Sequence, residues 1–408
     1  MRSILCIVFL IGSVMTFQAQ KSFSNEDIWY SSTFRMDNVR GQSSMKDGLH
    51  YTRLERTKGG NAIYKYSYKS GEQVAELVNS SMLGGNSIDD YSFSQDESKI
   101  LIATEQESIY RHSSKAHYLL YDLKLKEFSF LSDKKEGKVR LAEYSPDGSK
   151  VAYVKDNNLY YKDLSTSKVV QVTDDGEYNS IINGATDWVY EEEFSFDKGF
   201  YWSKAGGYLA YYRFDESEVK EFQMAMYGDL YPEQYSFKYP KAGESNSKVD
   251  IFIHELKEGS SKKVNLGTEE HYVPRIMWTA IEGVLCCTRM NRLQNHMELL
   301  TADARGTRGP NILPEKIFDE KSKSYIEVSD DLVFLRDNRQ FLMTSDRDGF
   351  NHIYVFNAQG KPLDQLTKGE FDVIEFSGFD EVRKKIYYTS SEEGATEQNV
   401  YSVDISGN

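Results

Sequence analysis

One short phrase returns along the whole chain and limits what it can fold into: an aromatic or apolar residue, a Ser-x-Asp-Gly-like turn, then an alternating strand. Ser44-Met45-Lys46-Asp47-Gly48-Leu49-His50-Tyr51 is the first copy, and Tyr91-Ser92-Phe93-Ser94-Gln95-Asp96-Glu97-Ser98-Lys99-Ile100-Leu101-Ile102 the second. The clearest is Tyr144-Ser145-Pro146-Asp147-Gly148-Ser149-Lys150-Val151-Ala152-Tyr153. Looser copies run from Trp202 to Tyr211, Trp278 to Leu285, Leu335 to Met343 and Phe376 to Tyr388. Each is followed by a second strand, as in Asn158 to Leu164 or Asn351 to Phe356, ending in a turn rich in Asp, Asn or Gly. Strand, Asp-Gly-type turn, strand is a hairpin signature.

The spacing of about 40 to 75 residues lies nearest the propeller range. Four strands per unit make a blade, and blades closing in a ring protect their own edges. The competing arrangement is a β-sandwich of unrelated hairpins, which does not require the phrase to recur. Composition agrees with many short strands: 29 Tyr and 22 Phe against only 7 Pro. The expected fold is therefore all-β, a propeller of about seven blades with the ring incomplete. The widest interval, Glu221 to Lys248, carries Tyr231-Pro232, Tyr239-Pro240 and Gly243 between strand-like runs, and reads as an insertion from one blade.

The first twenty residues place Arg2 before an apolar run from Ile4 to Leu10 and end in Phe17-Gln18-Ala19-Gln20. That order is a cleaved secretory signal, and the run is too short to span a membrane. A secreted or periplasmic protein with no membrane span after cleavage is expected. Cys6 lies inside that run. Cys286 and Cys287 are strand neighbours pointing to opposite faces, so they do not pair with each other and are expected to fill apolar gaps. A net charge of −14 without a basic stripe excludes nucleic acid as a partner. No metal-ligand spacing and no phosphate-binding glycine loop occurs, so no cofactor or metal is expected.

Within the fourth unit stands Thr186-Asp187-Trp188-Val189-Tyr190-Glu191-Glu192-Glu193-Phe194. Three adjacent carboxylates repel one another unless they are solvated or share a cation. A bare triplet reads as a solvent-facing acidic turn. With the flanking Asp-Trp-Val-Tyr, the string closely resembles the acidic motif of the dipeptidyl peptidase IV family of bacterial and other serine peptidases. Further matches follow in order: Glu26-Asp27-Ile28-Trp29 with Thr33-Phe34-Arg35, Tyr110-Arg111-His112-Ser113, Tyr239-Pro240-Lys241-Ala242-Gly243, and Thr288-Arg289-Met290-Asn291-Arg292-Leu293-Gln294-Asn295-His296.

The resemblance implies an N-terminal propeller domain over residues 21–408, eight-bladed in the family, that recognises peptide N-termini. By the same resemblance Glu192 and Glu193 grip the free ammonium of the substrate, Glu191 is structural, and Arg111 helps hold the carbonyl of the substrate's first residue. The alternative role for Arg111 is that of a carboxylate neighbour only, which keeps the acidic cluster from repelling itself. Such a site works as a ruler, because two extended residues span only about 7 Å and the second peptide bond falls at a fixed distance. The insertion from Glu221 to Lys248 corresponds to the family's dimer arm, which implies a homodimer.

The family cuts X-Pro and X-Ala dipeptides from N-termini with a Ser, Asp and His on a C-terminal α/β-hydrolase domain. No Gly-x-Ser-x-Gly elbow occurs in these residues, so this chain alone is expected to be inactive, the recognition part of a longer peptidase. A non-catalytic propeller that binds peptides or a partner protein is the alternative. A glycosidase using paired carboxylates fits poorly, because neighbours on one short turn do not straddle a glycosidic bond.

Overall fold

Each copy of the repeated phrase folds into the tight turn between the first two strands of a sheet. Ser94, Ser145 and Ser203 donate their backbone N–H to the carbonyls of Lys99, Lys150 and Tyr208 at 3.0, 2.8 and 2.9 Å. Their hydroxyl oxygens accept the N–H of those same three residues at 3.0, 2.9 and 2.9 Å. In the two best copies the turn aspartate accepts the serine hydroxyl, Asp96 from Ser94 and Asp147 from Ser145. Hydrogen bonds led by that of Ser94 hold the Asp96 carboxyl down to about 2. Looser copies keep the backbone bond without the serine, as in Thr279 to Val284 and Leu335 to Gln340, both 3.0 Å.

The structure is a computed structural model that describes residues 22–35 and 41–407; the signal segment read over residues 1–20 lies outside the described residues. Seven sheets follow in chain order, at 43–79, 90–130, 140–171, 181–264, 271–321, 333–365 and 373–404. Five are four-stranded antiparallel meanders, the fourth is enlarged, and the seventh has three strands among the described residues. The sheets stack face to face, because the apolar clusters lie between neighbours and not within one sheet. Ile63 and Val78 of the first pack with Ile100 and Leu119 of the second. Leu101 of the second packs with Val151 of the third, and Met290 of the fifth with Phe341 of the sixth. Leu342 and Val355 of the sixth meet Ile386 and Val403 of the seventh.

This is the radial stacking of a β-propeller, with alternate residues of each strand serving the two adjoining cores. Cys286 and Cys287 show it in two residues. Cys286 belongs to the core between the fifth and sixth blades, Cys287 to that between the fourth and fifth, and both are buried free thiols. The turns are also joined from blade to blade: Glu97 accepts the N–H of Lys46 at 2.8 Å, Glu282 that of Ala205 at 2.9 Å, and Glu381 that of Arg336 at 2.9 Å.

The fourth blade departs from the pattern three times, once by adding the parallel strand Asn311–Ile312 beside Ser260–Val264. Its innermost strand is split into Ile181–Asn183 and Phe200–Trp202, both paired with Tyr208–Asp215, and the chain between them forms a loop over residues 184–199. The insertion read from the sequence is a separate two-stranded hairpin, Glu221–Met226 paired with Glu233–Lys238. At its tip Tyr227, Leu230 and Tyr231 are more than 80% exposed. The Glu26-Asp27-Ile28-Trp29 string lies in an exposed helix, Asn25–Trp29, capped by Ser24. No helix among the described residues is long and apolar enough to cross a membrane.

Candidate functional site

The acidic string forms a helix, Trp188–Glu193, at the tip of the 184–199 loop, where the sequence alone reads as a turn. The stem beneath it is a short ladder: Gly199 donates to the Gly184 carbonyl at 3.0 Å and Thr186 to that of Asp197 at 3.2 Å. A Cβ at Gly199 would lie 2.9 Å from the Ala185 carbonyl oxygen, so only glycine fits there. Asp187 caps the helix by accepting the Tyr190 N–H at 3.0 Å, and its other oxygen accepts the Ser247 hydroxyl at 2.6 Å. Burial pushes the Asp187 carboxyl up from its ordinary value, against those two bonds.

Tyr190 is the anchor of the helix. It is buried against Phe194, Phe196, Tyr212 and Phe214, and its hydroxyl accepts the Val273 N–H of the fifth blade at 2.8 Å. Trp188 packs on Tyr239 at the root of the hairpin arm, ring centroids 4.5 Å apart. A helix pinned at both ends cannot roll, so the three glutamates, about 100° apart around the axis, point to fixed places.

Glu191 faces inward and is fully buried. Its Oε1 accepts the backbone N–H groups of His112 and Ser113 at 2.8 and 2.9 Å. Two charge-assisted bonds tie the loop between strands Lys99–Ser108 and Ser114–Asp122 of the second blade to the fourth-blade helix. That loop carries Arg111, whose Nε lies 3.3 Å from Oε2 of Glu192. Glu192 is half-buried, Glu193 is exposed, and Arg111 keeps 74% of its side chain in solvent. Glu193 makes no hydrogen bond or ion pair among the described residues. The structure thus brings Glu192 against Arg111, leaves Glu193 exposed next to it on the helix, and gives Glu191 a separate, buried position.

Three further residues belong to this neighbourhood and were not singled out in the sequence. Arg140 and Asp197 are half-buried near Glu191, where their charges act on one another. Tyr325, on the segment joining the fifth and sixth blades, is exposed and lies in the field of the site: burial pushes its hydroxyl up, and the charges of Glu327 and Glu193 add to this. An arginine within the otherwise apolar run Val139-Arg140-Leu141-Ala142 was the one local signal; nothing marks Tyr325.

One group elsewhere, His296, Glu298 and Asp319 on the fifth blade, draws three potential metal ligands together. Lys316 bridges Glu298 and Asp319 at 3.2 and 3.0 Å, and Arg289 pairs with Glu298. Its charge is compensated by the chain's own cations, so it does not fit a resident ion.

Comparison with known proteins agrees with this architecture. The profile of the dipeptidyl peptidase IV N-terminal region matches residues 94–408. Dipeptidyl aminopeptidase B of Saccharomyces cerevisiae is 30% identical, the match covering 88% of this chain and 45% of that protein. A probable dipeptidyl peptidase 4 of Aspergillus fumigatus is 30% identical over 75% of this chain and 41% of its own length. The crystal structure of Porphyromonas gingivalis dipeptidyl peptidase 4 superposes with a TM-score of 0.85 and 37% identity, covering 95% of this chain and 55% of that one. That of a putative dipeptidyl aminopeptidase IV from Bacteroides ovatus shares the fold, with a TM-score of 0.68 at 24% identity. The chain spans about half the length of the proteins it matches. With seven stacked blade sheets and the acidic helix of its fourth blade, the chain belongs to the dipeptidyl peptidase IV family and constitutes its N-terminal β-propeller region.

Proposed function

We propose that this propeller is the substrate-recognition part of an exported serine dipeptidyl peptidase that releases X-Pro and X-Ala dipeptides. In this reading Glu192 and Glu193 bind the substrate's N-terminal ammonium. The observation that carries the reading is a charge imbalance held in fixed geometry. On the immobilised helix Glu192 pairs with one guanidinium, that of Arg111, while the adjacent Glu193 makes no ion pair among the described residues. One negative charge is left over beside Glu193, and an ammonium supplies the missing cation. A blocked N-terminus supplies none and leaves the pair unmatched, which discriminates strongly. Both roles weighed for Arg111 then apply together: Nε balances Glu192, while its remaining N–H groups, largely in solvent, are free to donate to the first carbonyl of the peptide.

The Ser, Asp and His of such a peptidase belong, in this proposal, to the other half of the protein. Export and a homodimer are part of the same reading. The dimer is supported by the projecting hairpin with its exposed Tyr227, Leu230 and Tyr231.

Titration of the chain with the tripeptide Ala-Pro-Ala and with its N-acetyl form tests the site. The free peptide is expected to bind and the acetylated one not to, with Glu192→Gln and Glu193→Gln each weakening the free peptide about tenfold or more. Equal binding of both peptides would refute the ammonium site. Reading the genomic frame past Asn408 tests the enzyme assignment, since a frame encoding no hydrolase would leave a binding propeller.

A further inference from the structure

Arg140 stands on the innermost strand of the third blade, Arg140–Tyr144, paired opposite Val154. Its Nε and one Nη are cut off from solvent, and no hydrogen-bond acceptor reaches them. Oε2 of Glu191 is in the same condition on the other side, while Oε1 of that carboxylate holds the His112 and Ser113 amides. Left alone, a buried guanidinium and a buried carboxylate are among the costliest groups a fold can enclose, so their sharing one interior region is mutual compensation. The field between them agrees. Burial pulls the Arg140 guanidinium below its ordinary value, while the charges of Asp197 and Glu191, then Tyr110 and Tyr118, pull it back up. Burial pushes the Asp197 carboxyl up, Arg140 opposes that push and Glu191 adds to it.

The cation comes from the third blade and both carboxylates from the 184–199 loop of the fourth. No direct ion pair joins them, so the coupling acts through the low dielectric of the interior, where separated charges still interact strongly. Glu191 in turn passes the constraint to the second blade through its two amide bonds, and Tyr110, which also feels Arg140, precedes Arg111 in that loop.

We propose that Arg140 is a positioning residue of the recognition site. Its buried guanidinium balances the Glu191 carboxylate and so fixes the 109–113 loop that sets Arg111 against Glu192. The consequence for peptide binding rests on the ammonium-site reading; the effect on the loop does not.

Amide hydrogen exchange and Ala-Pro-Ala titration of the full chain test this, comparing wild type with Arg140→Met and Arg140→Lys. In Arg140→Met the His112 and Ser113 amides are expected to exchange about tenfold or more faster and the tripeptide to bind about tenfold or more weakly. The Phe341 and Ile386 amides, in the distant sixth and seventh blades, serve as unchanged references, and Arg140→Lys is expected to restore most of both effects. Unchanged His112 and Ser113 exchange would overturn the proposal. So would full rescue by Asp197→Asn in the Arg140→Met background, since Arg140 would then serve Asp197 alone. If Arg140→Met does not fold, the cycle of Arg140→Lys with Glu191→Gln decides: non-additive exchange rates are expected, and simple addition overturns the coupling. If the wild-type chain binds free and acetylated peptides alike, the ammonium reading fails, and the exchange data still judge Arg140 on their own.

Discussion

Glu216 places a titrating carboxyl at the root of the hairpin arm. It directly follows the strand Tyr208–Asp215; its N–H donates to the Ser180 carbonyl at 2.8 Å, and its own carbonyl accepts from Val219 at 3.0 Å. The side chain is buried, 5% exposed. Burial pushes its carboxyl up to about 7, the charge of Asp187 adds to this, Lys238 opposes it, and Asp215 adds again. The folded protein therefore holds this proton more tightly than the unfolded chain does. Below the ordinary value of 4.5 both states are protonated and the group has no effect. Between 4.5 and about 7 only the folded state keeps the proton, so stability falls as pH rises through that window and levels off above it. The interval corresponds to about 3 kcal/mol. Glu216→Gln keeps the shape and removes the charge. It is expected to match wild type near about pH 4 and to exceed it by up to about 3 kcal/mol near about pH 8. Because Asp187 also titrates upward, the difference between the two proteins is the quantity to follow. Urea unfolding over this pH range, with amide exchange of the arm strands as the local probe, measures it. Parallel pH profiles for the two proteins would refute the reasoning.

Glu191→Ala strands the buried Ser113 amide and the partly buried His112 amide and is expected to destabilise the site region by about 2 to 4 kcal/mol, whereas Glu191→Gln keeps both acceptor bonds and costs about 1 to 2 kcal/mol; amide exchange at His112 and Ser113 distinguishes them. Gly199→Ala drives a methyl into the Ala185 backbone and is expected to lower stability by about 1 to 3 kcal/mol in thermal unfolding, together with loss of peptide binding. Burial pushes the Cys286 thiol up to about 12 and that of Cys287 well above its ordinary value, so neither is expected to react with a thiol reagent near neutral pH until urea unfolds the chain. Leu230→Asp with Tyr231→Asp at the arm tip is expected to convert a dimer to a monomer in sedimentation velocity, and a wild-type monomer would dismiss the arm as an interface.

The blade architecture was legible because it is written locally. A Ser or Thr that bonds across its own turn and an Asp that accepts from the next residues need only a few adjacent positions, and seven recurrences carry the period. The hairpin arm was legible as an interval too long for one blade. The acidic string was legible as a candidate site through its composition and family resemblance, though not as a helix. Its capping Asp187 was in view, but the helix depends on Tyr190 reaching Val273 of another blade, which no local pattern shows.

What the amino-acid order alone determined is the repeat, the alternation that sends Cys286 and Cys287 into two different cores, and the clustering of three glutamates. What only the tertiary structure decided is their division of labour. Glu191 is enclosed because the second-blade loop closes over it, Glu192 is half-buried beside Arg111, and Glu193 stays exposed among the described residues. Arg111 and Arg140 lie some 80 and 50 positions before the glutamates. Burial and charge compensation are set by distance in space, and stacking the blades brings to one place residues that the chain itself keeps far apart.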